Sequence, residues 1–195
     1  MAADTRDRIV FGAATLMRRQ GYTGTGIKQI ATEARAPFGS IYHFFPGGKD
    51  QLAAEVIRRG GYFFQVLVES VFDAAPDLVT GVRDCFEGAA ETVRATDYQD
   101  ACPIATIALE VASTNEPLRE ATAEVFETWI AAAADRFRSA GIPAKDAREL
   151  GAAMIMSLEG AFLLSRATRS TKPLEIAGRA AVAQAELALA AVSAR

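Results

Sequence analysis

The chain has 195 residues, of which half are hydrophobic and 23% are charged, a composition that indicates a globular protein and excludes a disordered or fibrous one. No run of residues approaches the length that we expect of a bilayer-spanning segment, and the first ten residues lack a secretory pattern, so we expect a cytoplasmic protein with no membrane partner. The net charge of −3 is unevenly divided: residues 1–59 sum to +4 and the remainder to −7, which suits docking of the N-terminal third onto a polyanion.

Hydrophobic residues recur at every third and fourth position along nearly the whole chain, and the alternation typical of strands is missing. We therefore predict an all-α fold of nine helices. Three short helices come first, then a long one, then a bundle. They are predicted at about residues 5–20, 27–34, 38–44, 49–73, 77–95, 103–113, 116–140, 144–168 and 173–193.

Residue types at the predicted helix ends support this division. Gly21 suits the position just past the first helix, Thr25 can cap the second helix, and Asp77 can cap the fifth. The pattern predicts two domains: residues 1–48 form a small N-terminal domain, and residues 49–195 form a larger helical domain that begins with the long helix.

Two of the short helices are joined by a tight turn, which predicts a helix-turn-helix motif with its second helix placed to enter the major groove of DNA. The inner face of that second helix contains Ile41, Phe44 and Phe45. Its outer face is left with Gly39, Ser40, Tyr42 and His43. Gly39 allows close approach of the backbone, Ser40 can bond a base edge or a phosphate, and the other two side chains have donors suited to phosphate.

Further polar residues flank this motif. Lys49 begins the next helix, where a lysine and free backbone amides together attract a phosphate. Thr25 and Lys28 flank the first short helix of the motif on the side that crosses the DNA backbone. Each of these residues alone is typical of an ordinary solvated surface, and only their combination favours DNA binding.

A resemblance to the DNA-binding domain of TetR-family regulators lies in two stretches, Gly21-Tyr-Thr-Gly-Thr-Gly-Ile-Lys-Gln-Ile-Ala and Gly39-Ser-Ile-Tyr-His-Phe-Phe-Pro-Gly-Gly-Lys-Asp-Gln-Leu. Two further segments resemble the LmrA/YxaF-like branch of that family, Pro46-Gly-Gly-Lys and Ala101-Cys-Pro-Ile-Ala-Thr-Ile-Ala-Leu-Glu. The resemblance implies a TetR-like architecture, with Tyr42, His43 and Lys49 as phosphate contacts. It also implies that Lys28 and residues 38–40 lie near base edges.

Two residues depart from the family pattern. Arg35 stands where glycine is common, and a left-handed conformation there would cost on the order of 1 kcal/mol, unless the turn adopts another geometry. The charge of Arg35 could offset this cost at a phosphate. Phe38 stands where a polar or basic residue is common, and it could contact a thymine methyl group or simply cover the core.

The resemblance also implies a ligand pocket enclosed by the helices from about residue 60 to 165. The same large hydrophobic residues could equally be plain core. Glu110, within an otherwise apolar stretch, could orient a polar group of a ligand, or be exposed or ion-paired. Our candidates for the lining are Phe64, Leu67, Cys102, Ile107, Glu110, Trp129 and Met154.

The last two helices, at about 144–168 and 173–193, have broad faces of small and apolar residues, and the resemblance implies that they form a four-helix interface in a homodimer. Gly60 and Gly61 lie midway along the long helix, where paired glycines can permit a kink. They could serve close packing against a neighbour, or they could be a hinge through which a bound ligand shifts the recognition helices.

Together these patterns predict a ligand-responsive repressor that binds a palindromic DNA operator as a homodimer and is released by a small aromatic or apolar inducer. An enzyme is disfavoured, since the sequence has no glycine-rich phosphate loop, metal-spaced cluster or nucleophile elbow, and we expect no cofactor or metal site. Two alternatives stay open: a transcriptional activator, and a helical small-molecule-binding protein without DNA binding. Cys85 and Cys102 are expected to be buried free thiols.

Overall fold

The computed structural model describes residues 4–100 and 102–194, and these residues form nine α-helices without any β-strand. The helices are α1 (Thr5–Gln20), α2 (Ile27–Glu33), α3 (Phe38–Phe44), α4 (Gly48–Ala74), α5 (Leu78–Ala95), α6 (Pro103–Val111), α7 (Glu116–Ser139), α8 (Ala144–Thr168) and α9 (Lys172–Ser193). Each begins and ends within about two residues of its predicted position. The predicted all-α architecture is therefore confirmed.

The two predicted helix caps have different outcomes. Asp77 caps α5 as predicted, because its carboxylate accepts a backbone N–H of the first turn at 2.8 Å. Thr25 does not cap α2. It is fully buried, and its hydroxyl donates to the carbonyl of Gly21 at 2.6 Å. The residue before α2 is Gly26, and its N–H donates to the side chain of Gln29 at 2.8 Å.

The helices belong to two compact units. The first contains the described residues up to Tyr62 together with Cys102–Val125, so it includes α1, α2, α3, the first part of α4, α6 and the first part of α7. Its largest fully buried side chains come from all of these helices and from the residue just after α3. They are Ile9, Met17, Ile30, Ile41, Phe45, Leu52, Val56, Ile57, Ile104, Ile107 and Leu118.

Ion pairs join α1 to α4 at the surface of this unit. Arg6 contacts Glu55 at 3.0 Å, and Arg59 contacts both Asp7 at 2.7 Å and Glu55 at 2.6 Å. Burial raises the pKa of Glu55, but hydrogen bonds from both arginines outweigh this effect and lower it overall. Exposed pairs of this kind contribute about 0–1 kcal/mol each, so they orient α4 more than they stabilise the fold.

The second unit contains the described residues from Phe63 to 100 and from Phe126 onward. Its α9 packs against both α5 and α8. Its core is centred on large residues from α5, α7 and α8, with Leu174 of α9 fully buried. Cys85 in this unit and Cys102 in the first are buried free thiols, as predicted, and burial raises the pKa of Cys85 to about 12.

The division into units does not follow the predicted boundary between residues 1–48 and 49–195. The start of α4 and the whole of α6 belong to the first unit, and α4 and α7 contribute residues to both. The predicted boundary remains a prediction about where the DNA-binding and ligand-binding functions divide.

The prediction that no segment has the length and composition of a membrane span is wrong. Both α8 and α9 meet that criterion, because alanine, leucine and other apolar residues are frequent enough to raise their mean hydropathy. In α8, 39% of the most apolar stretch is buried. In α9 only 17% is buried, so this helix presents much small and apolar surface on the single chain.

Gly60 and Gly61 lie within α4, which runs as a helix from Gly48 to Ala74. A Cβ atom added to Gly61 would lie 2.5 and 2.7 Å from the two methyl carbons of Val125. A Cβ atom on Gly60 would meet Ile104 at 3.7 Å, an ordinary contact. Close packing therefore accounts for Gly61, whereas nothing in the local packing requires glycine at position 60.

These contacts predict opposite effects of alanine at the two positions. Gly60→Ala should stabilise the protein by about 0.5–1 kcal/mol, because alanine loses less conformational entropy in a helix. Gly61→Ala should destabilise it by about 1–3 kcal/mol, because the new methyl group overpacks against Val125. Urea unfolding measures both. Equal effects of the two substitutions would contradict this assignment, and Val125→Ala should cost less in the Gly61→Ala background than alone.

Candidate nucleic-acid interface

The turn between α2 and α3 ends α2 with two backbone hydrogen bonds that satisfy its last carbonyl groups. The N–H of Arg35 donates to the carbonyl of Thr32 at 3.1 Å, and the N–H of Ala36 donates to that of Ala31 at 3.0 Å. This is the Schellman arrangement, which places one residue in the left-handed region. That residue is Arg35, with φ of +49°. The alternative turn geometry considered for Arg35 is thus wrong, and its exposed side chain extends from a strained position.

The inner face of α3 anchors it in the core, as predicted. Ile41 and Phe45 are buried, and Phe44 is partly buried. This leaves the other side of α3 at the surface. It presents Phe38, Gly39, Ser40, Tyr42 and His43, of which only Ser40 is partly buried.

Two aromatic side chains dominate this outer face. Phe38 is 47% exposed and Tyr42 is 48% exposed, and their rings meet edge to face with centroids 5.7 Å apart. Phe38 therefore does not serve mainly to cover the core. Gly39 lies between them in sequence, and a Cβ atom there would have nothing within 4 Å. The outer face of α3 is thus an open surface that a ligand could approach closely.

Lys49 lies at the start of α4 and is partly buried. Its Nζ atom is 4.2 Å from the centre of the Tyr22 ring, in cation–π geometry. Burial lowers the pKa of Lys49, while the carboxylates of Asp50 and Glu110 oppose that shift. The Tyr22 hydroxyl donates a hydrogen bond to Asp50, and burial together with this bond raises the pKa of Tyr22.

Eight of the nine residues predicted to contact DNA lie on α2, on the following turn, on α3 or at the start of α4, with at least part of their surface exposed. They are Lys28, Arg35, Phe38, Gly39, Ser40, Tyr42, His43 and Lys49. Thr25 is the exception, because its side chain is fully buried and bonded to Gly21. Its predicted DNA contact is therefore wrong for the side chain.

Glu110 has a different role from those considered for it. Its carboxylate accepts the backbone N–H of Thr23 at 2.6 Å, in the segment between α1 and α2. A Cβ atom on Gly21 would lie 1.8 Å from the other carboxylate oxygen, so only glycine fits beside it.

In the same unit, Asn115 donates to Asp50 at 2.9 Å. Sequence reasoning missed Tyr22, Asp50 and Asn115 because their roles depend on contacts between residues far apart in the chain.

A separate apolar cavity lies within the second unit. Its lining includes three predicted residues, Phe64, Trp129 and Met154, and the rings of Phe64 and Trp129 are 4.7 Å apart. The full lining is Phe64, Gln65, Val68, Glu69, Phe72, Trp129, Ala132, Ala133, Arg136, Met154, Ile155 and Leu158. The cavity volume is about 20 Å³, room for roughly one water molecule.

The other four candidate lining residues do not line this cavity. Cys102, Ile107 and Glu110 belong to the first unit, where Ile107 is fully buried in the core and Cys102 accepts the N–H of Ala105. Leu67 lies on α4 in the second unit and is 48% exposed. Periodicity alone could not separate these positions from true lining, because a buried face and a cavity wall have the same composition.

Comparison with known proteins finds a family match for an N-terminal and for a C-terminal stretch of the chain. Residues 9–56 match the family described as bacterial regulatory proteins, tetR family. Residues 79–180 match the family described as transcriptional regulator LmrA/YxaF-like, C-terminal domain. The first match includes both stretches that carry the TetR resemblance. The second includes residues 101–110, one of the two segments that carry the LmrA/YxaF-like resemblance.

Relatives match over nearly the full length. The HTH-type transcriptional regulator YxaF of Bacillus subtilis (strain 168) is 33% identical over 88% of this chain and 90% of its own. LmrA of the same organism is 32% identical over 88% of this chain and 91% of its own. Among solved structures, a regulatory protein TetR from Rhodobacter sphaeroides has a TM-score of 0.83 at 23% identity, covering 91% of this chain and 97% of that one, which supports the fold.

The fold and the α2–turn–α3 surface define a transcriptional regulator of the helix-turn-helix class. The chain belongs to the TetR family, with a C-terminal domain of the LmrA/YxaF-like type. Members of this family and the relatives found are regulators rather than enzymes, as the sequence predicted.

The left-handed Arg35 offers a test with a built-in control. Arg169 ends α8 in the same kind of turn, with φ of +47° and the N–H of Ser170 donating to the carbonyl of Ser165. Arg35→Gly and Arg169→Gly should each stabilise the protein by about 0.5–1 kcal/mol, because glycine relieves the left-handed strain.

Only Arg35→Gly should weaken binding to duplex DNA, since it alone removes a charge beside α3. Denaturant unfolding and DNA titration at low salt measure the two effects. Equal DNA affinities of the two variants would show that the Arg35 side chain does not contact DNA.

Proposed function

We propose that this regulator represses transcription by binding a palindromic operator as a homodimer, and that a small aromatic or apolar inducer releases it. The observation that carries the proposal is the open outer face of α3, flanked by the charged side chains of Lys28, Arg35 and Lys49. A helix-turn-helix of this form places its second helix in the major groove. The cytoplasm, where the DNA lies, is the compartment that this function requires.

The residues proposed to contact DNA form two groups, one for phosphates and one for bases. Tyr42, His43 and Lys49 contact phosphates, which fixes the position of the protein without reading the sequence. Lys28 and residues 38–40 contact the base edges and so read the sequence. Phe38 is exposed enough to contact a thymine methyl group, and Gly39 allows the α3 backbone to lie deep in the groove.

Exposed faces of α8 and α9 support the proposed homodimer. On α8, Met156, Gly160 and Leu163 follow helical spacing and are all exposed. A Cβ atom on Gly160 would have nothing within 4 Å, so a second helix could approach closely there. On α9 the exposed face contains Ile176, Ala180, Ala183 and Leu187. Burial of these faces in a dimer would remove from water the apolar surface that the single chain exposes.

The cavity beside Trp129 supports an apolar or aromatic inducer. Its walls are largely aromatic and aliphatic, with Gln65, Glu69 and Arg136 as polar groups. With a volume of about 20 Å³, it must open before an aromatic molecule can enter. An inducer would thus bind an opened form preferentially. By linkage it weakens DNA binding when DNA prefers the closed form.

We also propose that α4 transmits this change, with Gly60 as the flexible position. Gly61 is committed to packing against Val125, but Gly60 has space for a side chain. The Gly60→Ala variant should therefore fold normally and resist bending of α4. An unchanged inducer effect on DNA affinity in this variant would contradict the hinge.

Selection of bound sequences from random duplex DNA tests the DNA-binding proposal. We expect a palindromic sequence to be enriched and its affinity to fall steeply with salt concentration. Failure to enrich any sequence at low salt, combined with binding of aromatic compounds, would favour the alternative of a small-molecule-binding protein. A reporter gene behind the selected operator distinguishes repression from activation.

Charged substitutions on α8 test the homodimer. Met156→Glu together with Leu163→Glu should weaken self-association at least about a hundredfold, because charges would be buried without partners. Operator affinity should fall with it. Leu109→Glu is the matched control, since Leu109 is 78% exposed but lies on α6. Sedimentation measures the association, and a doubly substituted protein that remains dimeric would contradict the assignment of the interface.

Filling the cavity tests the inducer site. Ala132 lines the cavity and its neighbour Ala131 is exposed, so Ala132→Phe should abolish the response to inducer while Ala131→Phe preserves it. Ala131→Phe should bind the operator like the unmodified protein, whereas Ala132→Phe should bind it more weakly even without inducer, because its ring would hold open a cavity of about 20 Å³. The single tryptophan, Trp129, reports binding directly through its fluorescence in a screen of planar aromatic compounds. Release of DNA from the Ala132→Phe variant at unchanged inducer concentration would place the inducer elsewhere.

A further inference from the structure

The cation–π contact between Lys49 and Tyr22 constrains the lysine that is proposed to contact phosphate. A lysine side chain has four rotatable bonds, so on an open surface its ammonium group samples many positions. Here the Nζ atom lies 4.2 Å from the centre of the Tyr22 ring, and the side chain is partly buried. The negative face of the ring attracts the ammonium group and limits the directions it can take.

The Tyr22 ring is itself held from two sides. Its hydroxyl donates to one oxygen of Asp50, and the other oxygen of that carboxylate accepts from Asn115 at 2.9 Å. The backbone on the other side of the ring is fixed as well, since the N–H of Thr23 donates to Glu110 at 2.6 Å. The ring therefore has a defined orientation before any DNA is bound.

The same arrangement engages the two carboxylates that act on Lys49. Asp50 and Glu110 both act on the ammonium group electrostatically. An ammonium group paired with either carboxylate would be a poor partner for a phosphate, because its charge would already be neutralised. Both oxygens of Asp50 accept hydrogen bonds, from Tyr22 and Asn115, and one oxygen of Glu110 accepts the bond from Thr23.

We propose that Tyr22 is a positioning residue for DNA binding: its ring holds the ammonium group of Lys49 at the start of α4, and its hydroxyl keeps Asp50 from pairing with that group. This inference rests on the proposed function, in which Lys49 contacts an operator phosphate. The position suits that role, because Gly48, the residue before Lys49, lies beside the ring of Tyr42 on α3.

The salt dependence of operator binding tests the proposal. Each phosphate contact contributes about 0.9 to the slope of log affinity against log salt, so loss of Lys49 from both subunits of a dimer should reduce the slope by about 1.8. Lys49→Met should show this reduction. Tyr22→Leu should show most of it, and the double variant should match Lys49→Met alone. Tyr22→Phe keeps the ring, so its reduction in slope should be less than half of the reduction seen in Tyr22→Leu.

A matched control is Phe11→Leu, which removes an aromatic ring that is 75% exposed on α1 and should leave the slope unchanged. An unchanged slope in Tyr22→Leu would overturn the proposal. So would a further reduction by Tyr22→Leu in the Lys49→Met background, since Tyr22 would then act independently of Lys49. If the unmodified protein selects no operator sequence from random DNA, that result contradicts the proposed function instead. It would be known before any variant is made.

A second measurement needs no variant that removes the ring. Protons above an aromatic ring resonate upfield, so the ε-methylene protons of Lys49 should be shifted upfield from those of a free lysine in the NMR spectrum. Their absence from the Lys49→Met spectrum assigns them. An upfield shift that is retained in Tyr22→Phe supports the proposal, and a signal at the position of free lysine overturns it, even if Tyr22→Leu does not fold.

Discussion

The α2–turn–α3 surface depends on burial, because its helices cannot form alone. Helices α2 and α3 have seven residues each, well below the length at which an isolated helix is stable in water. They exist because Ile30, Ile41 and Phe45 are buried in the core of the first unit. A substitution that loosens this core should therefore destabilise α3 even when it leaves the outer face of α3 unchanged.

The same constraint accounts for the left-handed Arg35. The turn must redirect the chain within four residues while α2 and α3 keep their inner faces buried. The Schellman turn does so and satisfies the last carbonyl groups of α2, at the cost of a strained residue. Glycine would carry that strain more easily, so a charged side chain at this position is consistent with a role at a phosphate.

Local patterns predicted much of this molecule, and contacts between distant residues account for the remainder. Helix ends follow from nearby glycine, proline and capping residues, and the inner face of α3 follows from helical spacing. Thr25 has the residue type of a cap, yet its hydroxyl bonds Gly21 because the segment folds back on itself. Glu110 could be identified as unusual in an apolar helix, but its partner Thr23 is 87 residues away. Likewise, only three-dimensional packing separates the cavity wall at Trp129 from plain core at Ile107.

The bond between Glu110 and Thr23 has a consequence for protein engineering. Hybrid regulators can be constructed by joining the DNA-binding domain of one protein to the ligand-binding domain of another. A junction placed after α3, or anywhere in α4, would separate Thr23 from Glu110, which lies in α6. A junction placed after Asp50 would also separate Asp50 from Asn115. The unit that contains α2 and α3 is discontinuous in sequence. A working hybrid would need to transplant residues 102–125 together with the N-terminal helices, so that the two halves of these hydrogen bonds come from the same parent.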